Sequence, residues 1–205
     1  TKQVSSHQIY ADLVAAGDTV LVNDSDLWLR RVDSNGDILW KSPSHGGLDS
    51  SPVIADINDD SRLELVITSL ADASCYALDA ATGERLWHYR FGPTGQCEHD
   101  QNNVCRKQGS TRYFTEDANC RSYTTPLVTT LFNDGKSVVV GSNNGTVVAL
   151  DAGTGAVQWQ DSTTGMVRGS PILADIDQDG LNELIVPSGA SLRIYRTASK
   201  AAAWP

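Results

Sequence analysis

The chain has 205 residues, 40% of them apolar, 7% aromatic and 20% charged, enough apolar material to bury a core and unlike a disordered polymer. Sixteen Lys and Arg against 25 Asp and Glu give a net charge of −9, which repels phosphate backbones and anionic lipid surfaces and excludes nucleic acid as a partner class. No apolar run approaches the about 18 residues of a membrane helix, so no membrane insertion is expected.

The opening residues, Thr1 to His7, are polar, and the single methionine is Met166, so a chain starting at Thr1 is expected to be a processed or excised product. The first organised unit, about residues 7–46, closes with Val32-Asp33-Ser34-Asn35-Gly36-Asp37-Ile38-Leu39-Trp40. Here an apolar strand end meets an Asp able to cap a turn, a Gly able to turn left-handed, and a second strand carrying Trp. The unit at 47–91 repeats this as Leu78-Asp79-Ala80-Ala81-Thr82-Gly83-Glu84-Arg85-Leu86-Trp87, preceded by Ser51-Pro52-Val53-Ile54-Ala55-Asp56 and an apolar strand at Leu65-Val66-Ile67. After an interruption at 92–121, the unit at 122–165 carries Thr125-Pro126-Leu127, Val138-Val139-Val140, and Leu150-Asp151-Ala152-Gly153-Thr154-Gly155 through Trp159. The last, 166–205, opens with Ser170-Pro171-Ile172-Leu173-Ala174-Asp175 and ends in a degenerate hairpin from Ile194-Tyr195-Arg196 to Ala203-Trp204, without Asp or Gly.

Trp40 and Trp87 are 47 residues apart and Trp159 and Trp204 are 45 apart, whereas Trp87 and Trp159 are 72 apart, which isolates 92–121 as an insertion. Units of about 45 residues with four short strands and a terminal Trp predict propeller blades. A proline at the first position of a strand is compatible with this, since that residue need not donate to the ladder. The expected fold is all-β, a β-propeller of four-stranded antiparallel blades, four in this chain. It forms either a closed four-bladed ring or part of a seven- or eight-bladed one. A β-sandwich has no reason to repeat Asp, Gly and Trp in register.

Three of the four cysteines, Cys97, Cys105 and Cys120, lie in the polar insertion, and Cys75 lies in the preceding strand. Their gaps contain no CxxC pair and fit no common zinc pattern, so disulfides in an oxidising compartment are expected. Four cysteines allow three pairings. Cys97 with Cys105, and Cys75 with Cys120, is the expected one, since the first closes a short loop and the second pins the far end of the insertion to a strand.

Two runs between the first and second strands of their blades place oxygen at alternate positions: Asp56, Asn58, Asp60 and Glu64, and Asp175, Asp177, Asp179 and Glu183, with the carbonyls of Arg62 and Leu181 available at position seven. Calcium takes six to eight oxygen ligands at about 2.4 Å, and carboxylates crowded into nine residues repel one another without a cation. Two calcium sites are expected, the weaker at Asp56–Glu64, where Ser61 replaces Gly and Asn58 replaces Asp. The corresponding positions of the third blade, Thr130, Phe132, Asp134 and Val138, offer one side-chain ligand and are expected to bind nothing.

Ala77-Leu78-Asp79 through Trp87 and Ala149-Leu150-Asp151 through Trp159 resemble the tryptophan-docking motif A-x-D-x-x-x-G-x-x-x-W of PQQ-like, or quinoprotein-dehydrogenase-like, propeller repeats. The resemblance implies that Trp40, Trp87, Trp159 and Trp204 pack between neighbouring blades. The acidic runs resemble the FG-GAP/VCBS loops of integrin α-subunit propellers, which implies calcium that stiffens blades and performs no chemistry. No residues match the axial calcium, Asp base or adjacent cysteines of a working quinone site.

Catalytic patterns are lacking: His7, His45, His88 and His99 are scattered, and no HExxH, GxSxG, P-loop or CxxCH occurs. His45-Gly46-Gly47 lacks a nucleophile elbow and reads as a connection between blades. The expected function is a secreted or cell-surface module, extracellular or periplasmic, for binding, adhesion or assembly with protein or glycan partners, with the insertion as recognition element and no catalysis of its own. A second copy or another chain completes the propeller if four blades do not close. The alternative is the propeller part of a secreted enzyme, either a quinone-dependent dehydrogenase or a polysaccharide-degrading enzyme.

Overall fold

The computed structural model describes residues 2–5, 9, 13–23, 28–43, 50–69, 73–91, 98–99, 105–106, 122–132 and 135–200. Among them there is no helix. The first sheet runs β1 (Val14–Ala16), β2 (Thr19–Asn23), β3 (Trp28–Val32) and β4 (Ile38–Pro43), each strand antiparallel to its neighbour. The second holds β5 (Val53–Ala55), β6 (Glu64–Ser69), β7 (Ser74–Asp79) and β8 (Arg85–Arg90) in the same order. A short pair, β9 (Glu98–His99) and β10 (Cys105–Arg106), lies in the insertion. The third sheet is β11 (Leu127–Thr129), β12 (Ser137–Gly141), β13 (Thr146–Asp151) and β14 (Val157–Ser162), and the fourth is β15 (Ile172–Ala174), β16 (Leu181–Ser188) and β17 (Ser191–Lys200). These meanders are the blades of an all-β propeller.

The repeated turn has one physical cause. Asp79 Oδ1 accepts the backbone N–H of Ala81 and of Thr82, both at 2.8 Å, and the Thr82 hydroxyl at 3.0 Å. Asp151 Oδ1 accepts the N–H of Thr154 at 2.8 Å, and Asp33 Oδ1 that of Asn35 at 2.9 Å. Each turn then needs a left-handed residue, supplied by Gly36, Gly83 and Gly155 at φ of 80°, 74° and 73°. A register shift falls at the same point of all three sheets, between Arg31 and Val32, Ala77 and Leu78, and Ala149 and Leu150.

The core lies between blades, as face-to-face sheet packing requires. Leu21 and Leu29 of the first sheet meet Leu65, Ile67, Tyr76 and Leu78 of the second. Val66, Cys75 and Ala77 on the second sheet's other face meet Val138, Val140, Val148 and Leu150 of the third. Val139, Val147 and Ala149 then meet Leu184 and Val186 of the fourth. Strand alternation thus assigns consecutive residues of one strand to two different interfaces.

Two expectations are corrected. Cys75 is a free thiol, fully buried in the interface between the second and third blades, so the Cys75–Cys120 bridge is not formed. Its position on β7 aligns it with Ala77 on the face covered by the next blade. Cys97, Cys120 and the side chain of Cys105 lie outside the described residues. The turn expected between Ile194 and Trp204 does not fall before Lys200, because β17 continues to Lys200, paired with β16 from Ser188↔Ser191 to Glu183↔Arg196 and, past a register shift, at Leu181↔Lys200. The stretch without the Asp cap and the left-handed Gly takes a register shift between Arg196 and Lys200 instead of a turn, and Trp204 lies outside the described residues.

Candidate functional site

The two acidic runs fold into the same loop, hydrogen bond for hydrogen bond. In the first, the N–H of Asp60 lies 3.2 Å from both Asp56 Oδ1 and Asn58 Oδ1, Ser61 N–H donates to Asp56 Oδ2, and Arg62 N–H donates to Asp60 Oδ1. In the second, Asp179, Gly180 and Leu181 donate in the same way to Asp175, Asp177 and Asp179. The closing glutamates, Glu64 and Glu183, are buried and accept the N–H of Ile57 and Ile176 at 2.9 and 3.0 Å. Gln178 and Gly180 take positive φ, as do Asp59 and Ser61. Ser61 therefore adopts the left-handed conformation that Gly180 takes without side-chain strain.

The loops differ in how their charge is balanced. In the first, the Arg62 guanidinium folds back on Asp60 Oδ2, with Nε at 3.1 Å and Nη2 at 2.8 Å. Lys136 of the third blade reaches across, its ammonium 2.6 Å from Asp59 Oδ1 and 2.5 Å from the Asp56 carbonyl oxygen. The Arg62 hydrogen bond holds the Asp60 carboxyl below its ordinary range, and the bond to Asp59 raises Lys136. Burial pushes Glu64 up, helped by the charges of Asp60 and Asp56, while the Ile57 N–H opposes the rise. In the second loop, carboxylate oxygens of Asp175, Asp177 and Glu183 lie within 4.8 Å of one another.

The sequence pattern brought out the carboxylates and missed Lys136, which lies 80 residues from Asp56 and carries no local signal. In the third blade, Val138 is part of the core and Phe132 lines a cleft, while Asp134 lies outside the described residues.

The tryptophans define the other recurrent contact. Trp40 donates its indole N–H to the Ala80 carbonyl at 3.2 Å, and Trp87 donates to that of Ala152 at 2.8 Å. Each indole lies on the turn glycine of the next blade, Gly83 or Gly155. Trp159 has no such turn ahead of it and meets Tyr195 edge to face at 4.8 Å between ring centres. A cavity of about 340 Å³ opens beside this pair, lined also by Leu131, Phe132 and Ile194.

A strand order of 1-2-3-4 in successive meanders, joined by tryptophans docked on Asp-capped turns, defines a β-propeller of PQQ-like repeats. The profile of the family described as outer membrane protein assembly factor BamB matches residues 2–113, more than half of the sequence, and the chain belongs to that family. No curated protein matches the sequence.

Among solved structures, BamB from Moraxella catarrhalis is similar at a TM-score of 0.56 and 16% identity, over 95% of this chain and 52% of that one. The computationally designed Ika4 protein is similar at 0.60 and 15% identity, over 95% and 94%. The quinohemoprotein alcohol dehydrogenase from Comamonas testosteroni is similar at 0.51 and 15% identity, over 89% and 29%. At these identities the likeness shows the fold alone. The chain spans about half the length of the BamB structure.

Proposed function

We propose that this chain is a rigid protein-binding module that serves assembly in the cell envelope, on the periplasmic or extracellular side, and performs no chemistry of its own. The observation that carries the reading is membership of a family described as an outer membrane assembly factor. Blades joined by buried aliphatic cores and docked indoles supply a stiff frame, and loops on a stiff frame are where recognition is concentrated. The insertion at 92–121 is the recognition element of this proposal, its mixed-charge composition suiting protein or glycan contact.

Calcium belongs to the same proposal. The loop of Asp175, Asp177, Asp179 and Glu183 supplies hard oxygen donors, and three of these side chains already converge within 4.8 Å. The Asp56–Glu64 loop is the weaker site, because Lys136 and Arg62 already balance its carboxylates and an incoming ion must compete with them. The ions stiffen the connection between first and second strands, as FG-GAP/VCBS loops do.

A photo-cross-linking residue placed at Arg106 in the insertion tests the reading against the same probe at exposed Leu86 on β8. Incubated with isolated envelopes, the Arg106 probe is expected to give a discrete protein adduct and the Leu86 probe none. Equal labelling at both positions, or stoichiometric binding of pyrroloquinoline quinone with dehydrogenase activity, would replace the binding module with a different function.

A further inference from the structure

Strand pairing matches the Asp-capped turns of the second and third blades to β17 of the fourth. Glu64↔Asp79 and Ser137↔Asp151 correspond to Glu183↔Arg196, so Arg196 stands where those turns carry Asp, and Lys200 where they carry Gly83 and Gly155. An arginine offers the turn amides no acceptor, and a lysine takes the left-handed conformation only under strain. The chain is held otherwise: the Thr197 hydroxyl donates to the Asn182 carbonyl at 2.6 Å, and the Ala198 N–H donates to the Leu131 carbonyl of the third blade at 3.2 Å.

The change falls on Trp159. Trp40 and Trp87 each set the ring face against a glycine, where a methyl group would lie 2.7 or 2.8 Å from ring carbons, and each donates its N–H to a peptide carbonyl. Among the described residues, no glycine lies against Trp159 and no acceptor takes its N–H. Beside it the cavity of about 340 Å³ is walled by Leu131, Phe132, Leu184 and Ile194, with Trp159 and Tyr195 as its aromatic side. The Tyr195 hydroxyl already donates to Asp161, which leaves the indole N–H as the directional donor of that side. Arg196 also lines the cavity, but it is exposed, and a hydrated cation selects weakly.

We infer that this cavity binds a small, uncharged, planar aromatic molecule carrying a carbonyl group, which lies against the Trp159 indole and accepts its N–H. Such a ligand supplies the two contacts the other indoles receive from the next blade, a flat group on the ring face and a carbonyl at the ring edge. The aliphatic walls and Phe132 take up the rest of its apolar surface. The volume stands at the lower end of the range of small-molecule sites and admits a skeleton of about two fused rings. The site is separate from the acidic loops and from the insertion, and its occupancy does not depend on calcium.

Nuclear magnetic resonance of the isotope-labelled full chain tests this, with the indole N–H signal of Trp159 assigned by its loss in Trp159→Phe. The probes are indanone, a planar aryl ketone, and indane, the same skeleton without the carbonyl. Indanone is expected to shift the Trp159 signal saturably and to bind about 3–10-fold more tightly than indane, the margin of one hydrogen bond. In Trp159→Phe that margin is expected to disappear, since the loss of ring area affects both probes alike. No saturable shift at Trp159, or equal affinity of the two probes for the wild-type chain, overturns the inference, and the second of these is read without any variant. A margin that survives in Trp159→Phe also overturns it, because another donor would then hold the carbonyl.

Discussion

The indole of Trp87 lies directly on Gly155, a residue of the next blade, so closely that a methyl group at Gly155 would sit 2.8 Å from ring atom Cδ2. The same indole donates to the Ala152 carbonyl, three residues before that glycine. Glycine is therefore required twice over, by φ of 73° and by the aromatic ring above it. Gly155→Ala is expected to destabilise the fold by about 2–4 kcal/mol, combining left-handed strain with overpacking. Trp87→Phe removes the hydrogen bond and part of the ring, and the double variant should lose less than the two single losses combined, because both act on one contact. Urea denaturation of the four proteins measures the coupling, and strict additivity would show that ring and glycine do not share an energy.

The proposed calcium site of the second acidic loop is open to a thermal test. At a concentration about 100-fold over its dissociation constant, an ion bound only by the folded chain stabilises by about 2.7 kcal/mol, or about 5–10 °C in Tm for a chain of this size. Asp179→Ala is expected to lower Tm in calcium and to leave it nearly unchanged in chelator. An equal loss in both would mean that Asp179 acts only through its hydrogen bond to Leu181.

Lys136→Met removes the ammonium that spans from the third blade to the loop of the second. The Asp56–Glu64 loop is then expected to bind calcium more tightly, which isothermal titration calorimetry reads as a strengthened second site. Unchanged affinity there would show that the ammonium does not compete with the ion.

Tyr195 donates its hydroxyl to Asp161 Oδ2 at 2.7 Å, a contact that ties the third blade to the fourth. Burial, together with that bond, pushes the Tyr195 hydroxyl up to about 12, while the bond holds Asp161 below the ordinary carboxylate range. Because the folded value for Tyr195 exceeds the unfolded one of about 10, its stabilising contribution is complete below pH 10. It is lost as pH rises from about 10 through 12. Tm measured between pH 9 and 12 should therefore fall more steeply for wild type than for Tyr195→Phe, with assay limits set about the ordinary tyrosine value. Parallel curves would show that the hydroxyl does not gain its partner on folding.

Cys75 is fully buried, and burial pushes its thiol far above the range in which a thiolate forms. Peptide mapping after alkylation should find Cys75 unmodified in the native chain and modified in denaturant. Rapid native labelling would require the interface between the second and third blades to open.

The blade plan was legible because its signals are local. Asp79 and Asp151 cap their own turns within three residues, Gly83 and Gly155 meet a backbone demand, and Pro52, Pro126 and Pro171 stand immediately before the first strands. The acidic loops were legible for the same reason, since the hydrogen bonds within each loop span two to seven residues. Lys136 was not, because it joins elements far apart in sequence and belongs to no repeated motif. The end of the last unit was misread for a related reason. Ile194 through Lys200 retains strand-forming residues while losing the Asp and Gly of the turn, and only pairing along β16 decides that it continues as strand, with a register shift, to Lys200.

By itself the amino-acid order determined an all-β chain of repeated meanders with Trp-anchored hairpins, since turn chemistry and period-two alternation act between near neighbours. The three-dimensional packing decided which face of each strand is covered, whether Cys75 is bridged or free, and which acidic loop already holds protein cations. Those outcomes depend on residues that meet only when one blade is laid against the next, and no spacing along the chain encodes that meeting.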